Sequence, residues 1–218
     1  MIIQWFGYSY FRIDSKNKII AIDPYYEPKA NNKVLAKQGS YSESMTGLKP
    51  PRFKSDILLI TQQQANNNNR SSIMGDPLAL EGPGEIETKG IFIEGIAHKS
   101  NTIYLMKSEG ITLCHLGNLE KKDLKEELLE KVANVDILLI PVGGHDTINY
   151  EEAISLINQI EPKIIIPMHY ALPNLKIKLD SLDKFLKAIS KKAEVLDKLV
   201  IRKNNLPGET KLIILNKQ

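Results

Sequence analysis

The stretch Asp56-Ile57-Leu58-Leu59-Ile60-Thr61-Gln62-Gln63-Gln64-Ala65-Asn66-Asn67-Asn68-Asn69 joins a short apolar run to an almost uninterrupted tract of amides. The run, bounded by Asp56 and Thr61, reads as a strand buried on both faces. By itself, the amide tract reads as a polar low-complexity loop. Its place directly after a buried strand makes that bland reading incomplete.

Outward from there the same signal repeats. Ile19–Ile22, Ile91–Ile93, Ile103–Leu105, Ile137–Ile140, Ile164–Ile166 and Leu212–Leu215 are further short apolar runs between turn residues. Asp56-Ile57-Leu58-Leu59-Ile60 recurs as Asp136-Ile137-Leu138-Leu139-Ile140, an echo that fits two similar halves. Helical spacing predicts a helix over residues 120–133, with Leu124, Leu128, Leu129 and Val132 on one face. A second is expected over 150–160, with Ala153, Ile154, Ile157 and Ile160 inward. A third covers 181–193, capped by Asp180 or Ser181, with Leu182, Phe185, Leu186 and Ile189 inward. The first half is strand-rich and the second alternates strand with helix, so the fold class is α/β. Residues 26–54, rich in Lys, Asn, Ser, Gly and Pro, read as a long surface excursion that covers a cleft.

The chain's 218 residues fit one domain spanning 1–218, and 42% hydrophobic residues provide a core without staples. A net charge of +3, carried by scattered lysines, does not point to nucleic acid or an anionic membrane. The single cysteine, Cys114, rules out an internal disulfide and fits a reducing compartment, with the cytoplasm as the default. It lies inside Ile111-Thr112-Leu113-Cys114, as a buried thiol would, and on a strand its side chain and that of His115 point to opposite faces. No stretch approaches a membrane span or a leader peptide. Neither a phosphate-cradling Gly-rich loop nor a G-x-S-x-G elbow is present.

Several segments in order resemble the metallo-β-lactamase superfamily, in its L-ascorbate-6-phosphate-lactonase-like branch. Trp5-Phe6-Gly7-Tyr8-Ser9-Tyr10-Phe11 resembles the opening Gly-His-Ser-x-Phe strand pair, with Tyr8 in place of His. Ala21-Ile22-Asp23-Pro24 resembles the Ile-Asp-Pro turn, and Cys114-His115-Leu116-Gly117-Asn118 the Cys-His-Leu-Gly-Asp segment. Gly82-Pro83-Gly84-Glu85, Gly90–Ile93, Pro141-Val142-Gly143-Gly144 and Pro167-Met168-His169-Tyr170 match the remaining segments, so the likeness runs from about residue 2 to 215. It implies a four-layer αββα sandwich with a centre of two zinc or manganese ions at one edge between the sheets. On the spacing His-x-His-x-Asp-His, Gln62 and Gln64 fall on the first two His positions, Asn66 on the Asp and Asn67 on the last His. Asn118 falls on the bridging Asp, His169 on a sixth ligand and His98 on the seventh, with Asp23 just behind the ligands.

Five of those seven positions therefore carry amides. An amide oxygen is a weak, neutral donor to zinc, and no matched ligand is anionic to offset about four positive charges. Without a metal, no bound water is acidified toward a pKa of ~7 and the hydrolytic nucleophile is lost. Neutral amides can instead bond to one another, which fits a centre refitted to stand without metal, so no cofactor is expected. Two functions follow. One is an inactive homologue that binds a small molecule or a protein partner, an active homologue among the candidates. The other is a hydrolase with a reduced site of one metal on His98 and His169, His115 being an optional third ligand that reads first as a hydrogen-bonding residue. A third reading has the amides introduced into an active parent to trap substrate. His145 reads as an ordinary loop residue.

Overall fold

The structure, a computed structural model, describes residues 1–25, 48–63, 68–175 and 177–218. Its strands are β1 (Ile2–Trp5), β2 (Phe11–Ser15), β3 (Lys18–Ile22), β4 (Phe53–Lys54), β5 (Ile57–Leu59), β6 (Ile73–Met74), β7 (Leu78–Leu80) and β8 (Gly84–Thr88). The chain continues through β9 (Ile91–His98), β10 (Asn101–Ser108), β11 (Ile111–His115), β12 (Ile137–Pro141), β13 (Ile164–Met168), β14 (Ala193–Leu196), β15 (Leu199–Val200) and β16 (Lys211–Leu215). Among the described residues three α-helices, α1 (Glu126–Val132), α2 (Tyr150–Ile160) and α3 (Leu182–Ile189), lie between the later strands.

Two sheets face each other. One runs β15-β1-β2-β3-β5-β7 and the other β14-β16-β13-β12-β11-β10-β9-β8. The both-faces-apolar reading of β5 holds, and the two faces go to different places. Ile57 and Leu59 enter the core between the sheets, whereas Leu58 and Ile60 face an outer cluster with Phe6, Tyr10, Tyr25 and Ile177. The eight-stranded sheet is covered on its outer face by the helices, α2 packing on β12, α1 and α3. On the other outer face, the described cover is the β4–β6 ribbon, Leu48, Ala171, Leu172, Leu175, Ile177 and Leu179. Residues 26–47 of the expected surface excursion lie outside the described residues.

The echo between the halves is structural. β3 runs parallel to β5 with Ile20 opposite Ile57, and β11 parallel to β12 with Leu113 opposite Ile137. In each half the Asp before the second strand accepts from the residue preceding the first partner: Asp56 from Ile19 N–H at 2.9 Å, Asp136 from Thr112 N–H at 2.8 Å. In each half the first of these parallel strands is reached through a hairpin closed by a two-residue turn of positive φ, Lys16-Asn17 and Glu109-Gly110, a geometry matched to strand twist. The residues just before the turns meet, Ser15 Oγ lying 2.8 Å from Ser108 Oγ.

Helix extents differ from the spacing-based expectation. α2 matches 150–160 because Asn149 and Glu152 form a reciprocal capping box and Glu161 ends the helix with φ 53°. Its buried face also includes Leu156, with Ile154 only half-buried. α1 begins at Glu126, not 120, since the Leu119 carbonyl is taken by Ile148 N–H at 2.8 Å and Lys125 is extended. α3 stops at Ile189, where Ser190 turns left-handed and the chain leaves for β14.

Tyr104 ties the sheets together at the site end. Its buried hydroxyl lies 2.8 Å from both Ile60 O and Leu80 O and accepts from Gly82 N–H at 3.3 Å. Leu80 O also accepts Ile60 N–H at 3.0 Å, so Tyr104→Phe strands Ile60 O and Gly82 N–H and is expected to lower stability by about 1–3 kcal/mol, read from denaturant melts.

Candidate metal centre

Loops after the C-terminal ends of β3, β5, β11 and β13 converge at one edge of the sandwich. Asp23 leaves β3 with φ 52° and is wholly buried. It accepts from Thr61 N–H at 2.7 Å and Thr61 Oγ at 2.6 Å, which fixes the start of the amide tract. Burial outweighs both bonds and pushes the Asp23 carboxyl up to about 7. Thr61 O in turn accepts from Thr102 N–H at 2.8 Å, tying this loop to β10.

Asn118 is carried by a turn that Asn101 holds on both sides. Asn101 Nδ2 donates to Leu116 O at 2.8 Å, and its Oδ1 accepts Asn118 N–H at 3.0 Å. Gly117 between them has φ 61°, and a Cβ there would lie 2.3 Å from Asn101 Oδ1, so no other residue fits. The Asn118 side chain has one short hydrogen bond and one long polar contact. Its Oδ1 accepts the Ser9 hydroxyl at 2.7 Å and its Nδ2 donates toward Gln62 Oε1 at 3.5 Å. Ser9, Gln62 and Asn118 are all buried.

His115 is committed to the backbone. Its Nδ1 accepts Gly117 N–H at 3.0 Å and its Nε2 faces Ser9 O at 3.1 Å, while burial pushes its pKa down to about 4. His169 lies after β13 with φ 56° and no exposed surface. Thr147 Oγ is 3.5 Å from its Nδ1, and the Tyr8 ring lies against it with centroids 4.0 Å apart. Burial depresses its pKa to about 3, so the ring is neutral. His98 is the last residue of β9, opposite Asn101 across a tight hairpin. Among the described residues, neither His98 Nε2 nor His169 Nε2, both buried, has a hydrogen-bond partner.

Of the seven aligned positions, the structure therefore brings Gln62 and Asn118 together and places His169 under Tyr8 and His98 at a hairpin end. Gln64, Asn66 and Asn67 lie outside the described residues. Ser9, Asn101, Thr61 and Tyr8 hold the site although the metal-ligand spacing points to none of them. Ser, Thr and Asn at strand ends carry no periodic signal, and the one available cue was Tyr8 standing where the resemblance has His.

Among the described residues, these donors do not fit a pair of metal ions. The described amides are bonded to each other and to a hydroxyl, and the buried carboxylate Asp23 is turned to Thr61. Among the described residues no three His, Cys, Asp or Glu side chains are grouped to hold a metal ion. Among the described residues at this edge, the His98 and His169 Nε2 atoms have no hydrogen-bond partner and could offer a lone pair.

Comparison with known proteins agrees with the sandwich. A family model described as a beta-lactamase superfamily domain matches residues 2–169. A UPF0173 metal-dependent hydrolase of Nanoarchaeum equitans is 26% identical over 184 residues, 78% of this chain and 84% of that protein. A like-named protein of Pyrococcus furiosus is 34% identical over 67 residues, 31% of this chain and 30% of its own length. The crystal structure of a Thermotoga maritima protein, assigned as a zinc-dependent hydrolase of the metallo-β-lactamase superfamily, superposes with a TM-score of 0.79 at 28% identity, covering 99% of this chain and 98% of that one. The chain belongs to the metallo-β-lactamase superfamily.

Proposed function

We propose that this chain is a non-hydrolytic, metal-independent member of the superfamily that acts by binding a small molecule or a protein partner, an active homologue being one candidate. Its relatives are named metal-dependent hydrolases, so the descent is from a hydrolase scaffold. The observation that carries the reading is that Asn118, where an anionic ligand is expected, is a neutral amide accepting the Ser9 hydroxyl at 2.7 Å with Gln62 Oε1 3.5 Å from its Nδ2. Two close carboxylates would repel without a cation, whereas amides need none. A cytoplasmic setting fits the lone buried thiol of Cys114, and no described helix is long and apolar enough to cross a membrane.

Elemental analysis after zinc or manganese loading and desalting tests this directly. Far less than one equivalent of metal is expected, together with a melting temperature that chelator leaves unchanged. Near-stoichiometric metal would overturn the proposal. In the same assay Ser9→Ala is expected to cost about 1–3 kcal/mol by orphaning Asn118 Oδ1.

The unpaired Nε2 atoms of His98 and His169 favour a second reading, a hydrolase with one metal on those two residues. It requires a measurable phosphoesterase or lactonase rate that His169→Ala abolishes.

A further inference from the structure

The turn between β1 and β2 is fixed from several directions. Phe6 N–H donates to Tyr10 O at 2.9 Å and Tyr10 N–H to Gly7 O at 3.0 Å. The Tyr8 carbonyl accepts two more donors, Trp5 Nε1 at 2.9 Å and His169 N–H at 3.1 Å. Tyr8 itself has φ 54°, a conformation that a bulky residue keeps only when its surroundings over-determine it. His169 opposite has φ 56°. Two buried residues in disfavoured backbone conformations are thus held together by one backbone hydrogen bond and one ring contact at 4.0 Å and 41°. Strain of this kind clusters at functional positions.

We infer that Tyr8 is the internal lock of this centre: its ring, and not a bound ion, joins the β1–β2 turn to the loop after β13 and covers the His169 imidazole. The lock rests on the metal-independent reading. A metal on His169 Nε2 would make the ion the link, and Tyr8 a neighbour. It also accounts for the absence of exposed surface on His169. Tyr8 is a positioning residue, acting through His169.

The test is acylation of histidine rings by diethylpyrocarbonate, mapped by peptide mass on the full chain, for the unsubstituted protein and Tyr8→Ala. His169 is expected to be protected in the unsubstituted protein and modified at least tenfold faster in Tyr8→Ala. Equal rates in the two, or a reactive His169 in the unsubstituted protein, overturn the lock. Should Tyr8→Ala fail to fold, Tyr8→Leu keeps the bulk, and NMR supplies the readout. A His169 ring proton shifted upfield by the Tyr8 ring should then return toward its ordinary position, and an unmoved resonance overturns the lock. Zinc content of the same preparations separates the two ideas. Stoichiometric zinc in the unsubstituted protein sinks both, while zinc-free protein with equal His169 reactivity sinks the lock alone.

Discussion

Asp23→Asn is expected to stabilise the protein near pH 8 and to leave it almost unchanged near pH 4. The folded carboxyl is raised from 3.8 to about 7 by burial. A raised carboxyl favours the folded state when protonated, so its contribution is complete below the unfolded pKa and is lost as pH climbs through the folded one. With about 1.4 kcal/mol per pKa unit, the loss between pH ~4 and ~7 is on the order of 4 kcal/mol. Asn can keep both contacts, its oxygen accepting Thr61 N–H and its amide donating to Thr61 Oγ, without carrying a buried charge. Denaturant melts of the two proteins across this range should therefore diverge as pH rises. A constant gap would mean that the carboxylate is already ionised and compensated, as a cation nearby would make it.

Asp136→Ala should act with the opposite pH dependence. Burial raises the Asp136 carboxyl, but the Lys163 ammonium, Thr112 N–H and Lys203 together bring it below its ordinary value. Lys163 Nζ is 2.7 Å away and Lys203 Nζ 3.3 Å, and both lysine side chains remain about half exposed, at 43% and 56%. They re-solvate on truncation, whereas Thr112 N–H loses its partner beneath the sheet end. The expected cost at neutral pH is about 3 kcal/mol. A depressed carboxyl stabilises above the unfolded pKa and loses that contribution as pH falls, so the variant should approach the unsubstituted protein in acid. A cost that persists below pH ~3 would assign the loss to packing instead.

These two aspartates also mark what could be read without coordinates. Asp136 announced itself through the repeated Asp-Ile-Leu-Leu-Ile, and the structure gives both copies the same hydrogen bond. Strands buried on both faces, such as β5 and β12, were legible because an uninterrupted apolar run has few other uses. Edge strands were not. Gly84–Thr88 and Ala193–Leu196 alternate charge with apolar residues at the sheet margins and give no such run. α1 was over-extended because Leu124 keeps helical spacing with Leu128 while the backbone before it is drawn to Ile148. At the centre, residue types at the aligned positions could be named from the sequence, but their engagements could not. That Asn118 is held by Ser9, or that Tyr8 lies on His169, depends on turns whose register only the fold supplies.

The Ser15–Ser108 contact has a kinetic consequence. Each hydroxyl sits beside a two-residue hairpin turn, and such hairpins form on a timescale of ~1–10 μs. The contact between them spans 93 residues of chain and can form only when the two sheets dock. Entropy of closing so long a segment must be met before the interior between the sheets is gained. Refolding should therefore be limited by docking of two pre-formed halves. Apolar substitution of either serine should speed unfolding more than it slows hairpin formation.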